Sequence, residues 1–193
     1  MQLLTRQDLY SLEQYSELRP KFRSQVMAHK KTRQLPIGPN ARLHFEDRLT
    51  IHYQIQEMLR VERIFEKAAI EEELKSYNPL IPDGGNLKAT LMIEFDDPEQ
   101  RREQLKRMLG IEQRIWLQVE RLESVFPAAD EDLPRSTQEI TSAVHFLRFE
   151  LTGEMIGALR QGAELHAGSD HPAYSHRVKA PPRVCESLLN DFG

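Results

Sequence analysis

The chain has 193 residues, 39% hydrophobic and 29% charged, enough to bury a sizeable apolar core. Its net charge of −4 and pI near 6.0 argue against a nucleic-acid binder, and its one cysteine, Cys185, excludes an internal disulfide, a thiolate zinc site and a cysteine-ligated iron–sulfur cluster. No apolar stretch approaches the ~18 residues of a membrane span, and MQLLTRQDLY lacks a signal-peptide core, so a soluble cytoplasmic protein without a membrane partner is expected.

Residues 1–30 read as two short helices. Thr5 and Asp8 have the spacing of a capping box; Ser11 caps SLEQYSELR, which stops at Pro20, and Pro20 opens PKFRSQVMAHKK. The basic run His29 to Arg33 suits a solvated helix end. Arg33 to Ile37 and Ala41 to Phe45 flank Gly38-Pro39-Asn40 as a β-hairpin. Phe45 to Tyr77 holds no Gly or Pro and reads as one long helix. It carries two stripes at helical spacing. Ile51, Ile55, Met58, Phe65 and Ala69 form one, with Glu62 in its middle; Glu46, Thr50, Tyr53, Glu57, Arg60 and Ile64 form the other.

After a loop at Pro82 to Asn86, Lys88 to Phe95 reads as a strand, and Pro98 to Leu109 as a helix with Asp97 as cap and Gly110 as stop. Arg114 to Glu120 alternates as a strand, with Ser124 to Ala129 as its hairpin partner. Ser142 to Leu151 is the strongest strand. Thr152 caps a helix ending near Gly162; Leu165-His166 and Tyr174 to Val178 flank a turn at Gly168 to Pro172, and Pro181 to Leu189 is a last helix with Cys185 packing inward. The fold class is α+β: N-terminal helices and a β-hairpin, one long central helix, then a mainly antiparallel sheet with short helices. A single domain over 1–193 is expected, mainly helical over 1–77 and sheet-containing over 88–193.

Several residues carry possible chemistry. Glu46, Thr50, Tyr53 and Glu57 line one helix face, closed by Arg60, as a polar groove would be. Glu57, Arg60, Glu62 and Arg148 can form an internal ion-pair network. His145 alternates with Leu147 and Phe149, opposite Phe146 and Arg148. We expect Arg148 to face the long helix and pair with Glu57 or Glu62, and His145 to face away, toward the hairpin holding Asp170-His171-Pro172-Ala173-Tyr174. There Asp170 can orient an imidazole, and His166 and His176 would approach across the hairpin. His145, His171, Glu57 and Asp170 are the candidate metal ligands, of a type that suits iron, manganese or zinc. His145 or His171 could alternatively serve as a general base.

The segments LYSLEQYSELRPKFR, MAHKK, LHFEDRLTIHYQIQEMLRVERIFE, YNPLIPDG with KATLMIE, TSAVHFLRFEL and DHPAY together resemble the bacterial domain-of-unknown-function family 3501 over nearly the whole chain. The resemblance implies genomic company with rubrerythrin-like di-iron proteins and iron–sulfur oxidoreductase subunits, and hence a redox protein partner and a role near peroxide metabolism. Three functions follow as expectations. The first is a metal- or cofactor-binding accessory protein, the second a non-catalytic interaction protein built on the Glu/Arg network. The third is a small-molecule enzyme with a His base.

Overall fold

A computed structural model describes residues 2–193, which form six α-helices and eight strands. The capping box at Thr5 and Asp8 forms, but it opens only a single 3-10 turn, Arg6–Asp8. Ser11 caps α1 (Leu12–Lys30), its hydroxyl accepting from Gln14 N at 3.2 Å while Gln14 Oε1 accepts from Ser11 N at 3.1 Å. Contrary to the expected break, α1 runs straight through Pro20. Pro20 and Ser16, whose carbonyl loses its helical donor, both lie on the exposed side, so the unpaired carbonyl is not buried.

Strands β1 (Gln34–Ile37) and β2 (Ala41–Glu46) form the expected hairpin, Gly38 supplying a positive φ of 67° at the turn. The expected long helix is two. Phe45 and Glu46 end β2, and α2 (Arg48–Glu62) starts behind Asp47, whose carboxylate accepts from Thr50 N at 2.9 Å. It ends where Arg63 takes the left-handed conformation, φ 55°, and α3 (Lys67–Tyr77) follows. A straight rod could not bury its own apolar residues against each other. The turn folds Leu74 and the following Ile81 back onto Ile51, Ile55 and Leu59.

The remaining elements are β3 (Asn86–Ile93), α4 (Pro98–Arg107), β4 (Ile115–Val119), β5 (Ala128–Ala129), β6 (Val144–Glu150), α5 (Gly153–Arg160), β7 (Leu165–His171), β8 (Tyr174–Lys179) and α6 (Pro182–Leu189). Two antiparallel sheets result, ordered β1-β2-β3-β6-β5 and β4-β7-β8, so the fold is α+β. Their inner faces share one core, in which Leu43, Leu91 and Phe149 join Leu117, Leu165 and Ala167. Tyr174 ties the sheets together: its hydroxyl accepts from Asn40 N and Ala41 N, both at 2.9 Å, and donates to Ile37 O at 2.6 Å.

Two strand expectations need correction. Val125 does exchange hydrogen bonds with Leu117, at 2.7 and 2.9 Å, but Ala128–Ala129 crosses to pair with β6 in the other sheet. Strand β7 continues through Gly168 to His171, leaving the turn at Pro172-Ala173. Gly168 is needed in mid-strand because a Cβ there would run into Trp116 of β4, which lies over it. In this register His166 stands opposite Lys179 and His176 opposite Ser169, so the two histidines do not meet.

The outer face of the larger sheet is only half-covered. Helices α1–α3 stand over it with small cores of their own, one around Ile55 and Leu59 and one around Tyr15, Phe22, Val26 and Tyr53. Among the described residues no helix is long and apolar enough to cross a membrane.

Candidate functional site

Glu57 turns toward α1, away from the sheet. It accepts from Tyr15 Oη at 2.7 Å, Arg19 Nε at 2.8 Å and Arg60 Nη2 at 3.3 Å. The Arg19 guanidinium above all holds its carboxyl down at about 2, and burial beside Glu57 pushes the Tyr15 phenol up. Tyr53 is buried between the same helices. Glu62 is exposed at the end of α2 and forms no ion pair among the described residues.

Arg148 does lie on the outer face, opposite His145, Leu147 and Phe149, but the expected pairing with Glu57 or Glu62 does not occur. Its partners are Glu131, at 2.7 Å, and Glu150. Above this part of the sheet stand Met58 and the end of α3, and the loop carrying Glu131 reaches the guanidinium first.

His145 is fully buried on the inner face. Its Nδ1 lies 2.6 Å from Asp130 Oδ2 and its Nε2 2.9 Å from Thr141 Oγ1, with Glu112 Oε2 at 3.9 Å. Since Asp130 also accepts from Phe146 N, these contacts pin both ends of the 130–141 loop to β6. His171 Nδ1 accepts from Ala173 N at 3.2 Å, which makes Nε2 the donor to Leu109 O at 3.1 Å. Asp170 is exposed, 3.8 Å from Arg114. Glu57, His145, His171 and Asp170 therefore have separate surroundings. Among the described residues no group of three or more His, Cys, Asp or Glu side chains is placed to hold a metal ion.

A cavity does open beside Glu46, on the outer face of the larger sheet, but Thr50, Tyr53 and Glu57, expected to share a groove with it, are not part of its lining. Its volume is about 670 Å³, and it runs from Lys30 and Lys31 at the end of α1 across His44, Thr90 and Met92 to Phe146. Ile51, Tyr77 and Leu80 form its helical wall. Glu46 is held by two hydroxyls, Thr90 Oγ1 at 2.8 Å and Thr50 Oγ1 at 2.6 Å. At Tyr77, Leu80 and Phe146 the cavity continues into a second one of about 600 Å³, lined by Lys88, Arg148, Leu133 and Arg135.

Polar groups in this groove are incompletely partnered. His44 Nε2 is buried without a hydrogen bond, and burial pushes the imidazole below its ordinary pKa, so it stands neutral at pH 7. Lys30 reaches the Tyr53 ring, 5.9 Å from its centroid, and neither it nor Lys31 has a carboxylate within 4 Å among the described residues. Lys88 Nζ donates to Pro79 O at 2.5 Å. The sequence pointed to Glu46 as a groove residue but not to His44, Lys30, Lys31 or Lys88. The one available signal was the polar alternation of β2 and β3, where His44, Lys88 and Thr90 share the outer face with Glu46.

A second polar cluster lies off the groove. Arg33, fully buried, donates to Phe45 O at 3.0 Å, Glu46 O at 3.1 Å, Ser187 O at 3.1 Å and Asp191 Oδ2 at 2.5 Å. Asp47 Oδ2 is 3.4 Å from Arg33 and 2.5 Å from His29 Nε2. The basic run expected at a solvated helix end thus sends Arg33 inward. Burial pushes the Asp191 carboxyl up to about 6, in spite of the guanidinium beside it.

A family model described as "Protein of unknown function (DUF3501)" matches residues 3–192. The chain is similar to a novel protein of unknown function from Burkholderia pseudomallei K96243, known from its crystal structure. The two are 49% identical, superimpose with a TM-score of 0.95, and each chain is covered over 100% of its length. No curated protein matches the chain.

Proposed function

The chain belongs to the DUF3501 family, and on that footing we propose that it is a non-catalytic binding protein whose groove holds a small amphipathic anion. The observation that carries this is a cavity of about 670 Å³ whose lining joins apolar side chains to Lys30 and Lys31, two lysines with no carboxylate within 4 Å among the described residues. The cavity falls in the volume range of roughly 300–1,000 Å³ that small ligands occupy.

The lining divides by chemistry. Ile51, Leu80, Met92, Val144 and Phe146 offer apolar contact, and the unpaired ammonium groups of Lys30 and Lys31 stand at one end. Glu46 opposes an anion only at the floor of the groove, where two threonine hydroxyls hold it. The anionic group is therefore placed at the lysine end and the hydrocarbon against the sheet. Glu57, Arg19 and Arg60 lie between α1 and α2, so they serve helix packing, which accords with a non-catalytic protein.

The test uses 1-anilinonaphthalene-8-sulfonate, an apolar ring system bearing an anion, with decanoate as competitor. Saturable dye fluorescence displaced by decanoate is expected, and Lys30→Glu with Lys31→Glu should weaken decanoate about tenfold, equivalent to ~1.4 kcal/mol. If decanoate neither displaces the dye nor raises the melting temperature, or if the double variant binds it equally well, the proposal fails.

A further inference from the structure

Lys88 is the lysine that the larger sheet itself carries into the groove. It sits on the outer face of β3, between Glu46 of β2 and Arg148 of β6 in register, and lines the second half of the groove with Leu80 and Phe146. Lys106 pairs with Glu103 and Lys179 with Glu164, while Lys21 and Lys67 are solvated. Lys88 is half-buried and has no carboxylate within 4 Å among the described residues; its one hydrogen bond goes to the carbonyl of Pro79. Burial, with the Arg148 guanidinium nearby, holds its ammonium below the ordinary lysine range; Asp83, Glu131 and Glu150 pull the other way without cancelling this. Arg148 is itself engaged by Glu131 and Glu150, so it does not compete for what enters the cavity beside Lys88.

A half-buried amine that borders an apolar cavity and has no carboxylate beside it is placed to act as a nucleophile. We infer that Lys88 captures an aldehyde bearing an anionic group, forming an imine within the groove. This deepens the proposal of a groove that takes amphipathic anions and rests on it. In the addition step the Nζ lone pair attacks the carbonyl carbon. The C–N bond forms as the carbonyl π bond opens, and the oxygen takes up a proton to give a carbinolamine. In the second step the hydroxyl leaves as water, carrying the remaining proton from nitrogen, and C=N forms. Nothing is oxidised or reduced, and water reverses both steps, so Lys88 acts as a covalent but releasable anchor.

The experiment treats the full chain at neutral pH with 4-carboxybenzaldehyde and sodium cyanoborohydride, which reduces the imine to a stable secondary amine. Labelled peptides are quantified by mass spectrometry. Lys88 should label several-fold faster than Lys21 and Lys67 in the same sample. In Lys88→Arg the fast-labelling component should vanish. Labelling of Lys88 at or below the rate of Lys21 overturns the inference, and because that ratio is read within the wild-type protein it holds even if Lys88→Arg fails to fold. Decanoate displacement of the dye, measured on the same preparation, separates the two proposals. Decanoate binding with unselective labelling overturns the imine alone. Selective labelling without decanoate binding overturns the anion groove, and with it the capture of an anionic aldehyde there.

Discussion

Replacing Arg33 by Met should be among the most damaging single changes in this protein. Methionine keeps much of the side-chain volume, so the loss is chiefly electrostatic. Asp191, 2% exposed, and Asp47 would lose the cation that lies 2.5 and 3.4 Å from them, and the carbonyls of Phe45, Glu46 and Ser187 would lose donors. Breaking a buried pair from one side costs about 3–5 kcal/mol. The cost has a ceiling, because an abandoned Asp191 can take up a proton. Its carboxyl already stands at about 6 with Arg33 present and must rise further without it, so the penalty should shrink as pH falls below neutral. At roughly 2–4 °C per kcal/mol for a chain of this size, the melting temperature should drop about 6–20 °C at pH 7. Urea denaturation of the wild type, Arg33→Met, Asp191→Asn and the double variant gives the coupling directly, and the double variant should be more stable than the sum of the single losses implies. A loss below about 1 kcal/mol for Arg33→Met would refute the assignment of Arg33 as the cation that holds Asp47 and Asp191.

The same cluster gives a pH signature. Asp191 titrates at about 6 when folded against 3.8 unfolded, so between these values the folded state holds more protons and stability falls as pH rises. Asp191→Asn should lack that fall, worth on the order of 3 kcal/mol across the window, and superimposable urea midpoints from pH 4 to 7 for the two proteins would refute it. Glu57 has the opposite sign. Its folded value of about 2 lies below 4.5, so its contribution is complete above pH 4.5 and disappears as pH falls toward 2. Glu57→Gln should cost about 1–2 kcal/mol at neutral pH, since Arg19 and Arg60 keep access to water, and almost nothing near pH 2; an equal cost at both, by chemical denaturation, would count against the pairing. In Gly168→Ala the new methyl would meet Trp116 Cζ2 at 2.2 Å and the backbone oxygen of His176 at 2.5 Å. About 1–3 kcal/mol should be lost, with Trp116 fluorescence shifted, and an unchanged melting temperature would show that β4 and β8 yield more easily than this packing implies.

What could be read from the sequence is what neighbouring residues decide among themselves. Ser11, Asp97 and Thr152 each accept a backbone N–H three residues on, and each opens the helix expected of it. Gly38-Pro39-Asn40 makes its turn from the φ values these residues allow. The alternation of Val144 to Phe149 settles that His145 shares the core face with Leu147 and Phe149 while Arg148 lies on the other. These features need no knowledge of the rest of the chain. The break at Arg63 carries no glycine or proline, because it answers to the burial of Leu74 and Ile81 against α2. Ala128–Ala129 joins the larger sheet because β6 offers a free edge there, and Arg148 pairs with Glu131 because that loop lies nearer than α2. Arg33 looks like a solvated cation until α6 brings Asp191 to it from 158 residues away. The groove likewise belongs to no single segment: the end of α1 supplies Lys30 and Lys31, β2 His44, β3 Lys88 and Thr90, and β6 Phe146. Local backbone chemistry and side-chain periodicity are therefore legible in the sequence. Burial, partner choice and cavity shape are sums over residues far apart in the chain, and only tertiary packing brings those residues together.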